Sequence, residues 1–418
     1  MNACILSIGD ELISGLTTNT NSSWLSLQLT ALGIPTVSHV TVGDQLQPII
    51  NAIRHALETC DLLLISGGLG PTEDDLTRQA LADALSEQLV EDPDAVLQIE
   101  HWFKSNNRVM SPSNRVQAMR PSSASVIENT AGTAPGLHTR KGHVDIFVMP
   151  GVPTEMKQMF TRSILPELRP HAGNTITQVT KINTFGMGES ILGDKIKDLM
   201  ARREGPANPS VGTTVHEGIV SVRIYATGAP DEAAAMTDRI RKLVTDRLGP
   251  LIYGENDETI ELAVGTLLKV RRFTVATAES CTGGLLAKML TDTPGSSAYF
   301  LRGWVTYANA AKRDELYVRE ELIAAHGAVS EPVALAMADG ARKEAETDFA
   351  LSITGIAGPD GGTPEKPVGT VWIGLATAAG ATARRFNFPG DRRAIRQRAA
   401  QMALSLLRWH ILGVTPLV

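Results

Sequence analysis

The chain has 418 residues, of which 43% are hydrophobic and 20% are charged, and it contains 37 glycines. This length exceeds one ordinary hydrophobic core, so we expect two or three domains, and the many glycines suit α/β folds with tight turns. The net charge of −6, from 39 basic and 45 acidic residues, argues against a general nucleic-acid-binding or membrane-binding surface.

The cysteines and the first residues indicate the compartment. Cys4, Cys60 and Cys281 are odd in number and show no disulfide framework, which favours a reducing cytoplasm. The segment Met1–Asp10 has no basic start and no long apolar run, so it is typical of a first strand and not of a signal peptide. We therefore expect a cytoplasmic protein.

The first third of the chain alternates apolar strands with amphipathic helices, a rhythm that predicts a doubly wound α/β domain over residues 1–170. Val144–Met149 supplies a later strand of the same sheet. The other predicted elements, in chain order, are Cys4–Ile8, Asn21–Leu32, Thr36–Val42, Leu46–Leu57, Asp61–Ser66 and Leu76–Leu85.

Two further domains follow. Residues 171–255 predict a small α+β unit, and residues 256–418 predict a second αβα domain. The elements of the small unit are Thr175–Phe185, Ser190–Met200, Gly218–Ala226 and Ala233–Leu248. Those of the last domain are Ile260–Val270, Thr274–Ala278, a helix through Leu290, Gly303–Tyr307, Pro332–Ala345, Phe349–Thr354, Thr370–Ala376 and Arg392–Leu407.

A serine marks the first candidate site. Ser280 lies where a predicted strand gives way to a helix that Thr282, Gly283 and Gly284 open. Free amides at a helix start can hold an oxyanion or a phosphate, and a serine beside them can attack a carbonyl carbon. The alternative is that Ser280 only caps the helix, as serine often does.

A lysine and a set of arginines favour catalysis. Lys312 closes the block Tyr307–Lys312, just past a strand, so it could reach Ser280 and act as its base. That role needs a pKa lowered by burial or by positive charge, which nearby arginines could supply. The alternative is that Lys312 is a solvated surface lysine and that the arginines lie on a solvent-exposed helix face. The arginines are Arg384, Arg385, Arg392, Arg393, Arg396 and Arg398.

A third block, Thr354–Gly362, contains four glycines and follows a buried strand. It could form a loop that wraps a substrate. Together with Pro294–Ser297, Gly327–Ser330 and Lys366–Gly369, these blocks resemble the C-terminal domain of the competence/damage-inducible protein A (CinA) family. The resemblance implies a nicotinamide mononucleotide (NMN) deamidase that needs no cofactor and releases nicotinate mononucleotide and ammonia.

The resemblance also implies residue roles. Ser280 is the expected nucleophile, Lys312 the base and Tyr307 an assisting group, while Ala308 stands where the family usually has serine. The expected substrate-binding residues are Thr282, Gly283, Gly284, Asn309, Thr354, Gly355, Arg392 and Arg396.

Acidic and glycine-rich segments mark a second candidate site in the first domain. Gly9–Glu11, Ser66–Thr72 and Asp74–Asp75 follow predicted parallel strands, where glycine backbone can cradle phosphate and paired carboxylates can hold a divalent metal. The alternative is that Asp74 and Asp75 cap the following helix.

Gly151–Met156, Asn19–Asn21 and Thr130–Gly136 resemble the molybdopterin-binding fold in the version fused to CinA. This resemblance implies an ADP-ribose pyrophosphatase that uses a divalent metal such as Mg²⁺, Mn²⁺ or Co²⁺. The expected metal ligands are Asp10, Glu11, Asp74, Asp75 and Glu155. The other expected site residues are Gly67, Gly68, Gly70, Thr72, Asn114 and Arg115.

The middle unit resembles the family's KH-like domain through Gly186–Ser190, and the acidic charge favours a structural hinge over RNA binding. We expect a homodimer that acts on small nucleotides, NMN and ADP-ribose, with no nucleic-acid or membrane partner. The alternative function is a pterin-binding, nucleotide-binding or competence-associated accessory protein with little catalysis.

Overall fold

The computed structural model describes residues 1–171, 175–201 and 208–414. The chain divides into two compact units, Met1–Gln178 with Ala226–Ala235, and Val179–Tyr225 with Met236–Val418. In the described ranges, no helix combines the length and the apolar character that crossing a membrane would require.

The N-terminal third alternates strands and helices, as its sequence pattern predicts. Its elements are β1 (Ala3–Ile8), α1 (Asp10–Ile13), α2 (Thr20–Ala31), β2 (Thr36–Val42), α3 (Leu46–Thr59), β3 (Leu62–Ser66), α4 (Thr77–Leu85), β4 (Leu89–Glu91), α5 (Pro93–Ser105), β5 (Met119–Pro121), β6 (Ser125–Ile127), β7 (Gly136–Lys141), β8 (Val144–Met149), α6 (Pro153–Met159) and α7 (Leu165–Leu168).

The main N-terminal sheet has the strand order β2-β1-β3-β8-β7-β6. Strands β2, β1, β3 and β8 pair in parallel, whereas β7 pairs antiparallel with both of its neighbours. Successive side chains of β1 enter opposite cores, with Cys4 and Leu6 on one face and Ala3 and Ile5 on the other. This alternation explains why the strand is apolar throughout, because helices cover both faces of the sheet.

The middle segment forms a second sheet with the order β10-β11-β9-β12. Strand β10 (Ser210–His216) was not predicted from the sequence. It pairs with β11 (Ile219–Gly228) through a hairpin whose two turn residues, Glu217 and Gly218, have φ of 50° and 85°. Two positive φ values suit the twist of a tight hairpin. The elements are β9 (Ile176–Thr184), α8 (Glu189–Met200), β10 (Ser210–His216), β11 (Ile219–Gly228), α9 (Pro230–Leu248) and β12 (Ile252–Glu255).

The C-terminal domain is a third sheet with helices on both faces. Its elements are α10 (Ile260–Arg271), β13 (Val275–Glu279), α11 (Leu285–Thr291), β14 (Phe300–Val305), α12 (Asn309–Leu316), α13 (Glu320–His326), α14 (Glu331–Ala345), β15 (Phe349–Gly355), β16 (Thr370–Thr377), β17 (Gly380–Asn387) and α15 (Arg392–Leu412).

The strand order in this domain is β14-β13-β15-β16-β17. Strand β13 runs parallel to both neighbours, so the segments after β13, β14 and β15 leave the sheet at one edge. The remaining pairs are antiparallel. Strand β17 escaped the sequence analysis because it is an exposed edge strand with few apolar residues. The α/β class of the whole chain is confirmed.

The middle segment packs on the C-terminal domain within one compact unit. Arg408 of α15 donates hydrogen bonds to the carbonyl oxygens of Pro250 and Ile252, at 2.8 and 2.6 Å. The indole N–H of Trp409 donates to Pro250 at 2.9 Å. Helix α15 extends to Leu412, beyond its predicted end at Leu407. Its last turns contact the backbone at the start of β12.

Candidate functional site

Ser280 occupies a tight turn at the end of the central parallel strand β13. Its amide donates to the carbonyl oxygen of Ile353 at 2.8 Å, which extends the β13–β15 ladder by one residue. Gly283 and Gly284 then take φ of +58° and +91°, a region that favours glycine. Helix α11 starts only at Leu285 with Gly284 as its N-cap, so Ser280 is not a helix cap.

A buried glutamate holds this turn in place. Glu279 is 0% exposed, and its carboxylate accepts the amides of Gly284, Leu286 and Ala287 at 3.0, 3.0 and 2.8 Å. The expectation that the helix-start amides are free for an oxyanion is therefore wrong for these three groups. The sequence analysis missed Glu279, although a carboxylate just ahead of a helix start is a signal of this kind of cap.

One amide of the turn is a candidate donor. In the described part of the chain, the N–H groups of Cys281 and Thr282 donate to no carbonyl oxygen, but Thr282 is 0% exposed, which leaves the Cys281 amide. This amide follows Ser280 directly, which is where an oxyanion formed on a serine-bound carbonyl can find a donor. The Cys281 thiol is buried, and burial raises its pKa to about 12, so it is a thiol and not a nucleophile at neutral pH.

Lys312 reaches Ser280 from the first turns of α12. Its side chain is 1% exposed, and its Nζ donates to Ser280 Oγ at 3.1 Å. The same nitrogen donates to the carbonyl oxygens of Thr306 and Tyr307 at 2.8 and 3.2 Å. The structure thus brings the predicted nucleophile and base together, and Lys312 is not the solvated lysine that the alternative described.

Burial is the main cause of the lowered pKa of Lys312, because desolvation disfavours the charged amine. The neighbouring Cys281 opposes this shift in part. The expectation that arginine charge lowers the pKa of Lys312 is not supported, since burial alone acts in that direction. The arginines have other partners at this site.

Arg392 and Arg396 both face the Ser280 region from α15. Arg392 donates to the Tyr307 hydroxyl at 2.9 Å and to the Gly358 carbonyl oxygen at 2.7 Å. Arg396 donates through Nε to the carbonyl oxygen of Thr282 at 3.2 Å. Arg392 therefore ties the tyrosine to the glycine-rich loop, and Arg396 fixes the serine turn.

The remaining arginines serve the fold. Arg385 donates to the Glu365 carbonyl oxygen and Arg398 to that of Pro389, while Arg393 lies 3.2 Å from Glu217. Arg384 lies on β17, beside the last turns of α15.

Tyr307 stands at the rim of the site and not inside it. Its side chain is 57% exposed, and its hydroxyl contacts Arg392 instead of Ser280 or Lys312. Asn309, the first residue of α12, is also exposed. Both side chains can meet a ligand that approaches Ser280 from solvent.

Two of the expected substrate-binding side chains are buried. Thr354 is 1% exposed and donates its hydroxyl to the Ala328 carbonyl oxygen at 2.8 Å. Thr282 is 0% exposed, and its hydroxyl has no partner among the described residues. A Cβ on Gly355 would lie 2.7 Å from Val371, so this glycine is needed for packing. The hydroxyls of Thr282 and Thr354 are therefore not exposed to a ligand in this structure, and substrate contact by Gly355 stays a prediction.

The second candidate site is a cavity of about 420 Å³ in the first unit. It lies where β1, β3 and β8 end, and Asn21 fastens two of these ends by donating to Ser66 Oγ at 3.0 Å and to the Gly151 carbonyl oxygen at 2.8 Å. Its wall contains five glycines and five carboxylates: Gly9, Gly67, Gly68, Gly70, Gly151, Glu11, Asp44, Asp74, Asp75 and Glu155.

Asp75 and Glu155 are engaged by the surrounding loops. Asp75 accepts the amides of Gly70 and Thr72 at 2.7 and 2.9 Å, so it shapes the glycine-rich loop. Thr72 is paired with this carboxylate and does not line the cavity. Glu155 accepts the side-chain amide of Asn129 at 2.7 Å.

Asp44 is a cavity residue that the sequence analysis missed, although it follows β2 directly. Asp10 and Asp44 accept each other's backbone amides, at 3.0 and 2.8 Å. Burial raises the pKa of Asp44, and the negative charges of Asp10, Glu11 and Asp74 raise it further. The cavity thus holds carboxylates that repel one another.

Asn114 and Arg115 are not part of this cavity. Arg115 forms a two-point ion pair with Glu91 at 2.6 and 2.8 Å, and Asn114 donates to Gln117 at 3.0 Å. Gln117 lines the cavity in their place. Across residues 1–171, 175–201 and 208–414, no three His, Cys, Asp or Glu side chains gather as closely as metal ligands do.

The fold and these two sites define a multidomain α/β protein with an acidic, glycine-lined cavity and a separate serine–lysine site. Family models match in the same order: "Probable molybdopterin binding domain" over residues 4–170, "Damage-inducible protein CinA KH domain" over 180–254 and "CinA C-terminal domain" over 257–411.

Full-length relatives cover the whole arrangement. The CinA-like protein of Geobacter sulfurreducens is 41% identical over 99% of this chain and 100% of its own. That of Kosmotoga olearia is 40% identical over 99% of both chains. The crystal structure of competence/damage inducible protein CihA from Agrobacterium tumefaciens is 43% identical over 35% of this chain and 91% of its own, with a TM-score of 0.35. The chain belongs to the CinA family.

Proposed function

We propose that the C-terminal domain is an amidohydrolase that converts NMN to nicotinate mononucleotide and ammonia. The observation that carries this proposal is the 3.1 Å contact between Lys312 Nζ and Ser280 Oγ, made by a lysine that is 1% exposed. A lowered pKa favours the uncharged amine, which is the form of lysine that can take a proton from serine.

In the first half of the reaction, uncharged Lys312 accepts the Ser280 hydroxyl proton while Oγ bonds to the carboxamide carbon. The carbonyl oxygen becomes negative, and the Cys281 amide, which donates to no carbonyl oxygen in the described chain, is the donor we assign to it. The carbon–nitrogen bond then breaks, and the leaving nitrogen takes the proton from Lys312 and departs as ammonia. An ester between Ser280 and nicotinate mononucleotide remains.

In the second half, Lys312 accepts a proton from water while the water oxygen bonds to the ester carbon. The bond from that carbon to Ser280 Oγ breaks, and Oγ regains the proton from Lys312. Nicotinate mononucleotide forms as the carboxylic acid, gives its proton to water and leaves as a carboxylate, and the enzyme returns to its starting state.

The rim of the site supports a phosphate-bearing substrate. Arg392 is exposed and uses only its two terminal nitrogens in protein contacts, so it keeps N–H groups for a phosphate. Tyr307 stands beside it and offers a ring and a hydroxyl to a bound nucleotide. In this proposal, Arg392 binds the substrate phosphate, and both Arg392 and Arg396 hold the loops. Proton transfer takes place between Ser280 and Lys312.

The test is ammonia release from NMN by the full chain and by Ser280→Ala. We expect the variant to release no ammonia above background while it still binds NMN, because only the hydroxyl is lost. Ser297→Ala, an exposed serine in the same domain, is the matched control and keeps the full rate. Undiminished turnover by Ser280→Ala would exclude the serine mechanism.

For the first domain, we propose hydrolysis of the ADP-ribose pyrophosphate bond, which would make the protein bifunctional in pyridine-nucleotide recycling. The observation that favours it is the cavity of about 420 Å³, whose lining combines glycine backbone with carboxylates. An oxygen-only donor set fits Mg²⁺ or Mn²⁺, and a cation would offset the repulsion that raises the pKa of Asp44.

Because no three carboxylates of the described residues are grouped as closely as metal ligands, such a cation would be held by one or two of Glu11, Asp44, Asp74 and Glu155 together with the phosphates of the substrate. When bound, the cation would neutralise negative charge on a pyrophosphate. The test is AMP release from ADP-ribose with Mg²⁺, Mn²⁺ or Co²⁺. If no AMP is released but a pterin or nucleotide binds, the alternative of a binding module without catalysis is correct for this domain.

A further inference from the structure

A separate cavity of about 310 Å³ lies in the second unit, between the middle sheet, the start of α10 and α15. Ser280, Lys312, Tyr307, Arg392 and Arg396 do not line it. Helix α15 serves both places, since Arg392 and Arg396 face Ser280 whereas Gln397 and Gln401, one turn apart, line this cavity.

One buried polar atom in the wall of this cavity lacks a partner. Gln401 is 2% exposed, and in the described residues its Oε1 accepts no hydrogen bond. Tyr253, which is 8% exposed, lines the same cavity, and its hydroxyl makes no hydrogen bond within the described part of the chain. Buried polar groups are nearly always paired, so an unpaired amide oxygen in a cavity wall points to a ligand.

The neighbouring wall shows the contrast. Asn183 is 1% exposed, and its side chain donates to the carbonyl oxygens of Asn256 and Glu258 at 3.0 and 3.2 Å. Ser221 donates its hydroxyl to the Asn183 side-chain oxygen at 2.9 Å. The sheet side of the cavity is thus internally satisfied, and the unmet hydrogen-bonding capacity belongs to Gln401 and Tyr253.

The charges around the cavity select the type of ligand. Apart from His216, its charged lining consists of four carboxylates and one lysine: Glu217, Asp257, Glu258, Glu261 and Lys181. Glu217 is paired with Arg393, and Glu258 accepts the Glu255 amide, which leaves Asp257 and Glu261 without such partners in the described chain. The surroundings therefore favour a positively charged ligand with N–H donors.

A metal ion does not fit this cavity. Among the residues that the structure describes, no three acidic, histidine or cysteine side chains are grouped as metal ligands. An amide oxygen and a phenol are instead suited to an N–H donor. A volume of about 310 Å³ is at the lower end of the range for small-molecule sites.

We propose that this cavity binds a small organic ammonium ion, such as an aliphatic diamine, whose N–H groups donate to Gln401 Oε1, the Tyr253 hydroxyl and the Glu261 carboxylate. The site is independent of the proposed amidohydrolase and does not require NMN. Its ligand is recognised by charge and by hydrogen-bond donors.

The test is isothermal titration of the full chain with 1,4-diaminobutane. We expect saturable binding of one molecule per chain, with no binding of the neutral 1,4-butanediol or the anionic succinate. Ser280→Ala should bind the diamine as the parent chain does. Absence of saturable binding, or its loss in Ser280→Ala, would overturn the proposal.

Variants in the wall locate the binding. Glu261→Gln and Gln401→Met should each weaken binding by about tenfold, because each removes one partner of a charged donor. Glu321→Gln, an exposed glutamate on α13, is the control for general attraction to an acidic protein and leaves binding unchanged. If Gln401→Met does not fold, Tyr253→Phe replaces it with the same expectation. Equal affinity in all variants would mean that the diamine binds elsewhere.

Discussion

The two candidate sites lie at the ends of parallel strands, yet they are built in opposite ways. At Ser280, many polar groups have internal partners: Glu279 satisfies three amides, Lys312 Nζ lies within hydrogen-bond distance of three oxygens and Arg396 holds the turn. In the N-terminal cavity, five carboxylates share one wall, and the pKa of Asp44 is raised partly by its neighbours.

This difference indicates which site is assembled in advance. A nucleophile and base already within hydrogen-bond distance need little rearrangement before reaction. A wall of mutually repelling carboxylates is less favourable by itself and gains most from a cation or a positively charged group. Removing a single side chain should therefore have its largest effect at the serine–lysine site. Removing a negative charge should have its main effect in the acidic cavity.

The largest effect is expected for Lys312→Met. Methionine fills a similar volume in this buried position but has no basic nitrogen, so the proposed rate of ammonia release from NMN should fall by about 10³-fold. The control is Lys343→Met, an exposed lysine on α14, which should keep the parent rate. A rate within a few-fold of the parent in Lys312→Met would show that this amine is not the base.

The pH dependence of the same reaction should follow the uncharged amine. Burial lowers the pKa of Lys312 from its ordinary value of 10.5, so kcat/KM should rise with pH through this lowered pKa and level off below pH 10.5.

The free energy of unfolding should also rise with pH between the folded pKa of Lys312 and 10.5. In this range the unfolded chain binds more protons than the folded chain, so a higher pH favours the folded chain. Lys312→Met should remove this contribution from a urea-unfolding series, and an unchanged pH slope would contradict the prediction.

The sequence was sufficient to predict the framework and the contact between Ser280 and Lys312, for physical reasons. Fully buried strands such as β1 and β3 have unbroken apolar runs, and a serine between a strand and a Gly-Gly pair is a strong local signal. Edge strands such as β17 alternate weakly and were missed. Long-range roles were also hidden, because whether Asp44 faces a cavity or Thr354 faces a backbone carbonyl depends on neighbours far along the chain.

Glu279→Gln tests how far the prior assembly of the serine turn depends on one carboxylate. Glutamine has one side-chain oxygen instead of two and places an N–H₂ group against amide donors, so we expect a loss of about 2 kcal/mol in unfolding free energy. The value of kcat should fall more than KM rises, since the turn loosens while the arginines stay. Urea unfolding with Glu344→Gln as the exposed control measures the first effect, and a stability equal to that control would contradict it.

The smallest effect, and the one that separates the two sites most clearly, is expected for Asp44→Asn. Asparagine can still accept the Asp10 amide but removes one of the repelling charges, so stability at neutral pH should increase by a few tenths of a kcal/mol. Because the folded pKa of Asp44 is raised, its ionised form is penalised as pH rises through that pKa. The gain should therefore vanish below about pH 3.8, the ordinary value, where Asp44 is protonated in both states. Urea midpoints at several pH values, with exposed Glu58→Gln as the control, measure this difference. A loss of stability at neutral pH would mean that the Asp44 charge is needed to hold the Asp10 segment, and the cavity would then be as internally satisfied as the serine turn.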